Sequence, residues 1–165
     1  VKTKVKFFLS WAHDDERLKR DLLGRLRPQF KMLSNYHVSW WEDSVITPGE
    51  EWEPEILSRL EESDYIVQLL SPSFLTSDFV RAHEVPGVGD APNKPTLPLM
   101  LRSVPLRDDF ELLGIEKRQI YRMPRSDGQG HYAYGDLSSS VQKDRFAREF
   151  VERVVDRLSD RGGYR

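Results

Sequence analysis

KVKFFLS, Lys4 to Ser10, decides the fold of this chain. Val5 begins an apolar push that becomes continuous at Phe7-Phe8-Leu9, and a short run apolar on both faces belongs to a strand covered on both sides. Asp64 to Leu70, DYIVQLL, has the same character. Two such strands separated by helical patterns imply a parallel sheet with helices on both faces.

Outward from this strand, Asp14-Asp15-Glu16 supply an N-cap and first-turn negative charge. Leu18, Leu22, Leu26 and Phe30 then repeat every fourth residue and predict an amphipathic helix. Pro28 lacks an amide donor and its ring crowds the carbonyl of Gly24, so that helix is expected to end or kink near Arg27. Val38 to Trp41 reads as a second, aromatic strand. Glu51-Trp52-Glu53-Pro54-Glu55 opens a helix whose buried stripe is Ile56, Leu57 and Leu60. After the DYIVQLL strand, Ser71-Pro72-Ser73 turns the chain into a helical stretch carrying Phe74, Leu75 and Phe79 up to Glu84. Pro86 to Pro95 is loop. Thr96 to Leu101 is a fourth strand, in which Pro98 calls for an edge, a bulge or an exposed amide position. Leu106 to Gly114 has room for one helical turn, Arg118 to Tyr121 for a short fifth strand, and Ser126 to Ser140 reads as a mobile surface loop. Phe146, Phe150, Val154 and Leu158, with Val151 and Val155, give the clearest helix, ending before Gly162-Gly163.

The resulting fold class is α/β: a flavodoxin-like, five-stranded parallel sheet of order 2-1-3-4-5 with helices on both faces. In such sheets ligands sit outside the carboxyl ends of the strands where the winding reverses, between strands 1 and 3. Those ends are Ser10-Trp11 and Ser71-Pro72. The stretch Trp40 to Trp52, WWEDSVITPGEEW, lies at the end of the neighbouring strand and is expected to form an adjustable wall or gate of the crevice.

The 165 residues make one domain, 1–165, large enough to bury a full core. Its 25 basic and 27 acidic side chains leave a net charge of -2, so no global field draws it to nucleic acid or an anionic membrane. There is no cysteine, which removes disulfides and thiolate chemistry together and fits a reducing cytosol. No apolar run approaches the roughly 18 residues of a membrane span. A cytoplasmic location is expected, and the start at Val1 rather than Met suggests a domain cut from a longer, multidomain protein.

Neither phosphate-cradling glycine motif occurs, and His13, His37, His83 and His131 show no metal-ligand spacing, so no metal is expected. A phosphoacceptor domain would need an aspartate ending the third strand, where Leu70-Ser71 stands.

Phe7-Phe8-Leu9-Ser10-Trp11 with Asp14-Asp15, then Trp41-x-Asp43-x-x-Ile46-x-Pro48-Gly49-x-x-Trp52, then Leu70-Ser71-Pro72-Ser73-Phe74-Leu75-x-Ser77-Asp78-Phe79 and Glu84, resemble a TIR (Toll/interleukin-1 receptor) domain of the bacterial, NAD-cleaving effector type. The resemblance spans nearly the whole chain. It implies an NAD+ glycohydrolase or cyclase of bacterial anti-phage defence, with NAD+ as substrate rather than cofactor. It also implies activation by self-association with other TIR domains and a fused or separate sensor domain. The alternative it leaves open is a non-catalytic adaptor acting by homotypic assembly. A nucleoside deoxyribosyltransferase-like enzyme is a more distant reading that leaves the proline-glycine loop unexplained.

The resemblance makes Glu84 the catalytic residue and brings Ser10, Trp11, Asp43, Ile46, Pro48, Gly49, Trp52, Ser71 and Phe79 to the substrate site. Trp11 either stacks on a heteroaromatic ring or packs against the first helix. Asp43 either hydrogen-bonds ribose or fixes its loop, whose turn Pro48-Gly49 set. Trp52 is a ligand contact or a staple for the helix it opens, and Phe79 lines the site or joins the core. Many relatives place tryptophan four residues before the glutamate; here Val80 holds that position and Phe79 stands one earlier. Pro86 ends the helix where relatives often continue it.

Overall fold

The computed structural model describes residues 1–41, 53–76, 95–112, 114 and 119–159. Within them four parallel strands, β1 (Thr3–Ser10), β2 (Tyr36–Trp41), β3 (Tyr65–Leu70) and β4 (Thr96–Met100), form one sheet in the order β2-β1-β3-β4. Phe7 of β1 is paired with Trp40 of β2 on one side and Tyr65 of β3 on the other, and Leu70 of β3 with Met100 of β4. The winding reverses at β1, which places the ends of β1 and β3 side by side.

The sheet's side chains alternate between two layers, as the pleat requires. On one face Val5, Phe7 and Leu9 meet helix α1 (Glu16–Lys31) and the long helix that follows the hairpin described below. On the other, Phe8 and Ile66 meet Leu60 of helix α2 (Glu53–Glu62), with the Trp41 ring stacked 5.3 Å from Phe8. A short helix α3 (Pro72–Leu75) follows β3 directly.

Pro28 neither ends nor breaks α1, which runs on to Lys31. Pro28 and Gly24 both lie on the exposed side, so water can reach the carbonyl that the proline leaves unpaired. Beyond them Phe30 is buried at ring distances of 5.6 Å from Phe7 and 5.4 Å from Trp40. Burial of one such side chain contributes about 2–3 kcal/mol, comparable to the cost of about 3 kcal/mol for an interior proline.

The expected fifth strand is reduced, among the described residues, to one parallel bridge between Leu99 and Tyr121. Pro98 is the cause. Tyr121 N–H donates to the Pro98 carbonyl and Met100 N–H to the Tyr121 carbonyl, both at 2.9 Å. The next rung toward Gln119 would need an amide proton from Pro98, which has none. The edge position foreseen for Pro98 is the one it occupies.

The stretch 126–140 is more structured than a mobile loop. Strands β5 (Met123–Pro124) and β6 (His131–Tyr132) form an antiparallel hairpin, and a single 3-10 turn, Tyr134–Asp136, follows. Tyr134 is fully buried against Phe146, at 5.3 Å between rings. Ser139 then caps helix α4 (Ser140–Leu158), accepting the Gln142 N–H at 3.1 Å, and Phe146, Phe150, Val151 and Val154 bury its apolar stripe.

Candidate functional site

At the end of β1 the chain leaves the sheet through Ser10 and Trp11 and makes a single 3-10 turn, His13–Asp15, before α1. Asp15 stands at the helix start, where its side chain was expected to cap. It makes no capping hydrogen bond. Asp15 is buried, and its carboxylate turns into the protein instead. There Oδ1 accepts from Arg102 Nε at 2.8 Å, and Oδ2 accepts a short hydrogen bond from the Ser71 hydroxyl.

Each partner comes from a different strand end. Ser71 follows β3 and is itself fully buried, its Oγ accepting the Phe74 N–H at 3.0 Å and so capping α3. Arg102 follows β4, where the Leu70 carbonyl accepts both Leu101 N–H at 2.9 Å and Arg102 N–H at 3.0 Å. That bifurcated acceptance turns the exit of β4 back over the end of β3. One buried carboxylate therefore ties together the carboxyl ends of β1, β3 and β4. A buried carboxylate is tolerated only where charge and hydrogen bonds compensate it, and here a guanidinium and a hydroxyl do so.

Of the expected site residues, Ser10, Trp11 and Ser71 meet at this rim. Ser10 is fully buried beside Gln68 of β3. Trp11 is 3% exposed and belongs to the main core, with Lys19 Nζ 4.2 Å from its ring centroid. Its packing role is therefore realised, and stacking on a ligand would require Lys19 to swing aside. Ser71 spends its proton on Asp15 and accepts the Phe74 amide, so it braces the rim. Asp43, Ile46, Pro48, Gly49, Trp52, Phe79 and Glu84 lie outside the described residues.

Two participants escaped sequence reasoning. Asp15 was read as a cap, and Arg102 was not singled out. The signal for Arg102 was present: a cation directly after a parallel strand falls on the rim where such sheets bind ligands.

A second cluster braces the same rim from behind. Gly135 N–H donates to the Leu101 carbonyl at 2.8 Å. A Cβ at Gly135 would lie 3.1 Å from that oxygen and 3.2 Å from Leu18 Cδ1, so a larger residue there would push its neighbours back by a few tenths of an ångström. The adjacent Tyr134 hydroxyl donates to Asp21 Oδ2, with Arg25 Nε and Lys143 Nζ at 3.5 and 3.8 Å from the same oxygen. Burial acts to raise the Asp21 pKa, but the Tyr134 hydrogen bond and the charges of Arg25 and Lys143 outweigh it and hold it below the usual range. Tyr134 shifts the other way, pushed up first by burial and then by Asp21.

A surface cavity of about 200 Å³ lies elsewhere, at the amino ends of the strands between Lys2, Phe30, Lys31 and Tyr36. It is smaller than the roughly 300–1,000 Å³ of ligand pockets, and its walls carry no carboxylate. The strand-end rim, where the carboxyl ends of β1 and β3 lie side by side, is the candidate site. Among the described residues no cluster of His, Cys, Asp or Glu has the makings of a metal site, and no helix is long and apolar enough to cross a membrane.

The family profile described as TIR domain matches residues 7–133. Neither a search of curated proteins nor one of solved structures gave a match.

Proposed function

We propose that this chain, which belongs to the TIR domain family, cleaves the nicotinamide–ribose bond of NAD+ as an effector of bacterial anti-phage defence, activated by self-association. The observation that supports this reading is the rim itself. The winding of the sheet reverses between β1 and β3, and the strand ends there are held in fixed register by the Asp15–Ser71–Arg102 network. The family match also spans Asp43, Pro48, Gly49 and Glu84.

The chemistry asks little of the protein. Nicotinamide leaves as a neutral molecule, taking the electron pair of the broken C–N bond onto its pyridinium nitrogen, so no general acid is needed. Positive charge develops on the ribose, and the Glu84 carboxylate stabilises that oxocarbenium-like state, as carboxylates do in glycoside hydrolysis. Water then forms the new C–O bond and sheds a proton, giving ADP-ribose; attack by a ring nitrogen of the adenine instead gives a cyclic product. On this reading, assembly of neighbouring copies completes the site, with residues 43–52 of one copy contributing to that of another.

One observation favours the second reading, an adaptor that acts by assembly alone. Trp11 and Ser71 are both committed to internal contacts. The two readings separate on nicotinamide release from NAD+ at high protein concentration or with a crowding agent, for wild type and Glu84→Gln. Release that vanishes in the variant supports the enzyme. No release under any self-associating condition refutes it for this domain.

A further inference from the structure

We propose that Arg102 recognises the diphosphate of the substrate and that Asp15 is its positioning residue. The proposal rests on the NAD+-cleaving reading and adds to it how the non-reacting part of the dinucleotide is held.

Two contacts fix Arg102: its amide is bonded to the Leu70 carbonyl, and its Nε is on Asp15. The exposure of the two charged partners is unequal. The Asp15 side chain is 2% exposed, whereas that of Arg102 is 48% exposed. The carboxylate is therefore sealed in the protein, while the guanidinium that it holds stays half open to solvent at the rim. A guanidinium fork matches two phosphate oxygens at once, and one already held at Nε loses little side-chain entropy on binding them. Lys19, in the first turns of α1 with its Nζ 4.2 Å from the Trp11 ring centroid, adds a second positive charge near that rim. A diphosphate offers anionic oxygens to both, and adenosine carries no charge.

The test is calorimetric titration of wild type, Arg102→Gln and Arg102→Lys with ADP and with adenosine, each variant's fold being checked by its circular dichroism melt. Arg102→Gln is expected to weaken ADP about 10- to 100-fold, the worth of charged hydrogen bonds, while adenosine binding holds. Arg102→Lys keeps a point charge without the fork and should fall between; if Arg102→Gln does not fold, this variant decides by the same ratio. In turnover, KM for NAD+ should rise more than kcat falls. Equal weakening of ADP and adenosine, or undiminished ADP binding, overturns the proposal, as does a wild type that binds neither. Wild type that discriminates ADP through Arg102 yet releases no nicotinamide upholds the subsite and sinks the cleavage reading. Release with the same KM in Arg102→Gln does the reverse.

Discussion

Removing the Asp15 carboxylate is the sharpest test of the strand-end network. Asp15→Ala loses the 2.8 Å bond to Arg102 and the bond from the Ser71 hydroxyl, and leaves a small hole at the start of α1. Breaking a fully buried ion pair by truncating one partner costs about 3–5 kcal/mol, because the stranded charge stays desolvated. Here the stranded group is Arg102, half exposed, which regains water, so the cost falls to about 2–3 kcal/mol. Asp15→Asn keeps the shape and one acceptor while deleting the charge, and should cost about 1–2 kcal/mol.

Urea titration reads these values as shifts in midpoint at unchanged slope, and a melt should fall by about 4–10 °C for the alanine variant. A double-mutant cycle with Arg102→Met isolates the pair, with a coupling of about 1 kcal/mol or more expected. The reasoning is refuted if Asp15→Ala lies within about 0.5 kcal/mol of wild type, the range of an ordinary exposed substitution. Strict additivity with Arg102→Met would refute it equally, since the two groups would then not be interacting.

The remaining predictions concern the other devices that hold this end of the fold. Tyr134→Phe keeps the buried ring but loses the hydroxyl on Asp21, and should cost about 1–2 kcal/mol in urea midpoint at neutral pH. Burial, with Glu149 beside Tyr121 and Asp21 beside Tyr134, raises both phenols, so the folded protein keeps protons that the unfolded chain sheds. This stability is complete below about pH 10 and is lost as pH rises beyond it, and the loss measured by urea midpoints should be shallower in Tyr134→Phe. Pro28→Ala restores an amide donor for Gly24 and should stabilise by about 2 kcal/mol, the helix gain less what proline takes from the unfolded chain; an unchanged or lower midpoint would show the proline to be accommodated without cost.

Periodicity made the layers of this fold legible before any coordinates. Phe7-Phe8-Leu9 is apolar on both faces because two helical layers cover it, and Phe146, Phe150 and Val154 mark the stripe of α4. Local rules failed where distant contacts outvoted them. Proline chemistry argued for an end or a kink near Arg27, but the helix runs on to Lys31, with Phe30 anchored from the sheet. Composition argued for a loose loop over 126–140, yet one aromatic, Tyr134, anchors it, and a single buried ring in a polar stretch has no period to detect.

Asp15 shows why the site was half readable. An aspartate just before an amphipathic helix satisfies every local expectation of a cap, so nothing nearby signals another duty. Its partner Arg102 is 87 residues away, and Ser71 is 56 away. What links them is the sheet order, which brings three strand ends to one rim, and that order could be inferred from the sequence. In an open parallel sheet, ligands are bound outside the carboxyl ends of the strands at the point where the winding reverses. Charged residues within two or three positions of those ends are therefore better read as members of that site than as caps or solvated charges. By that rule Asp15 and Arg102 belong with Ser71, and their coupling is what the Asp15 and Arg102 variants measure.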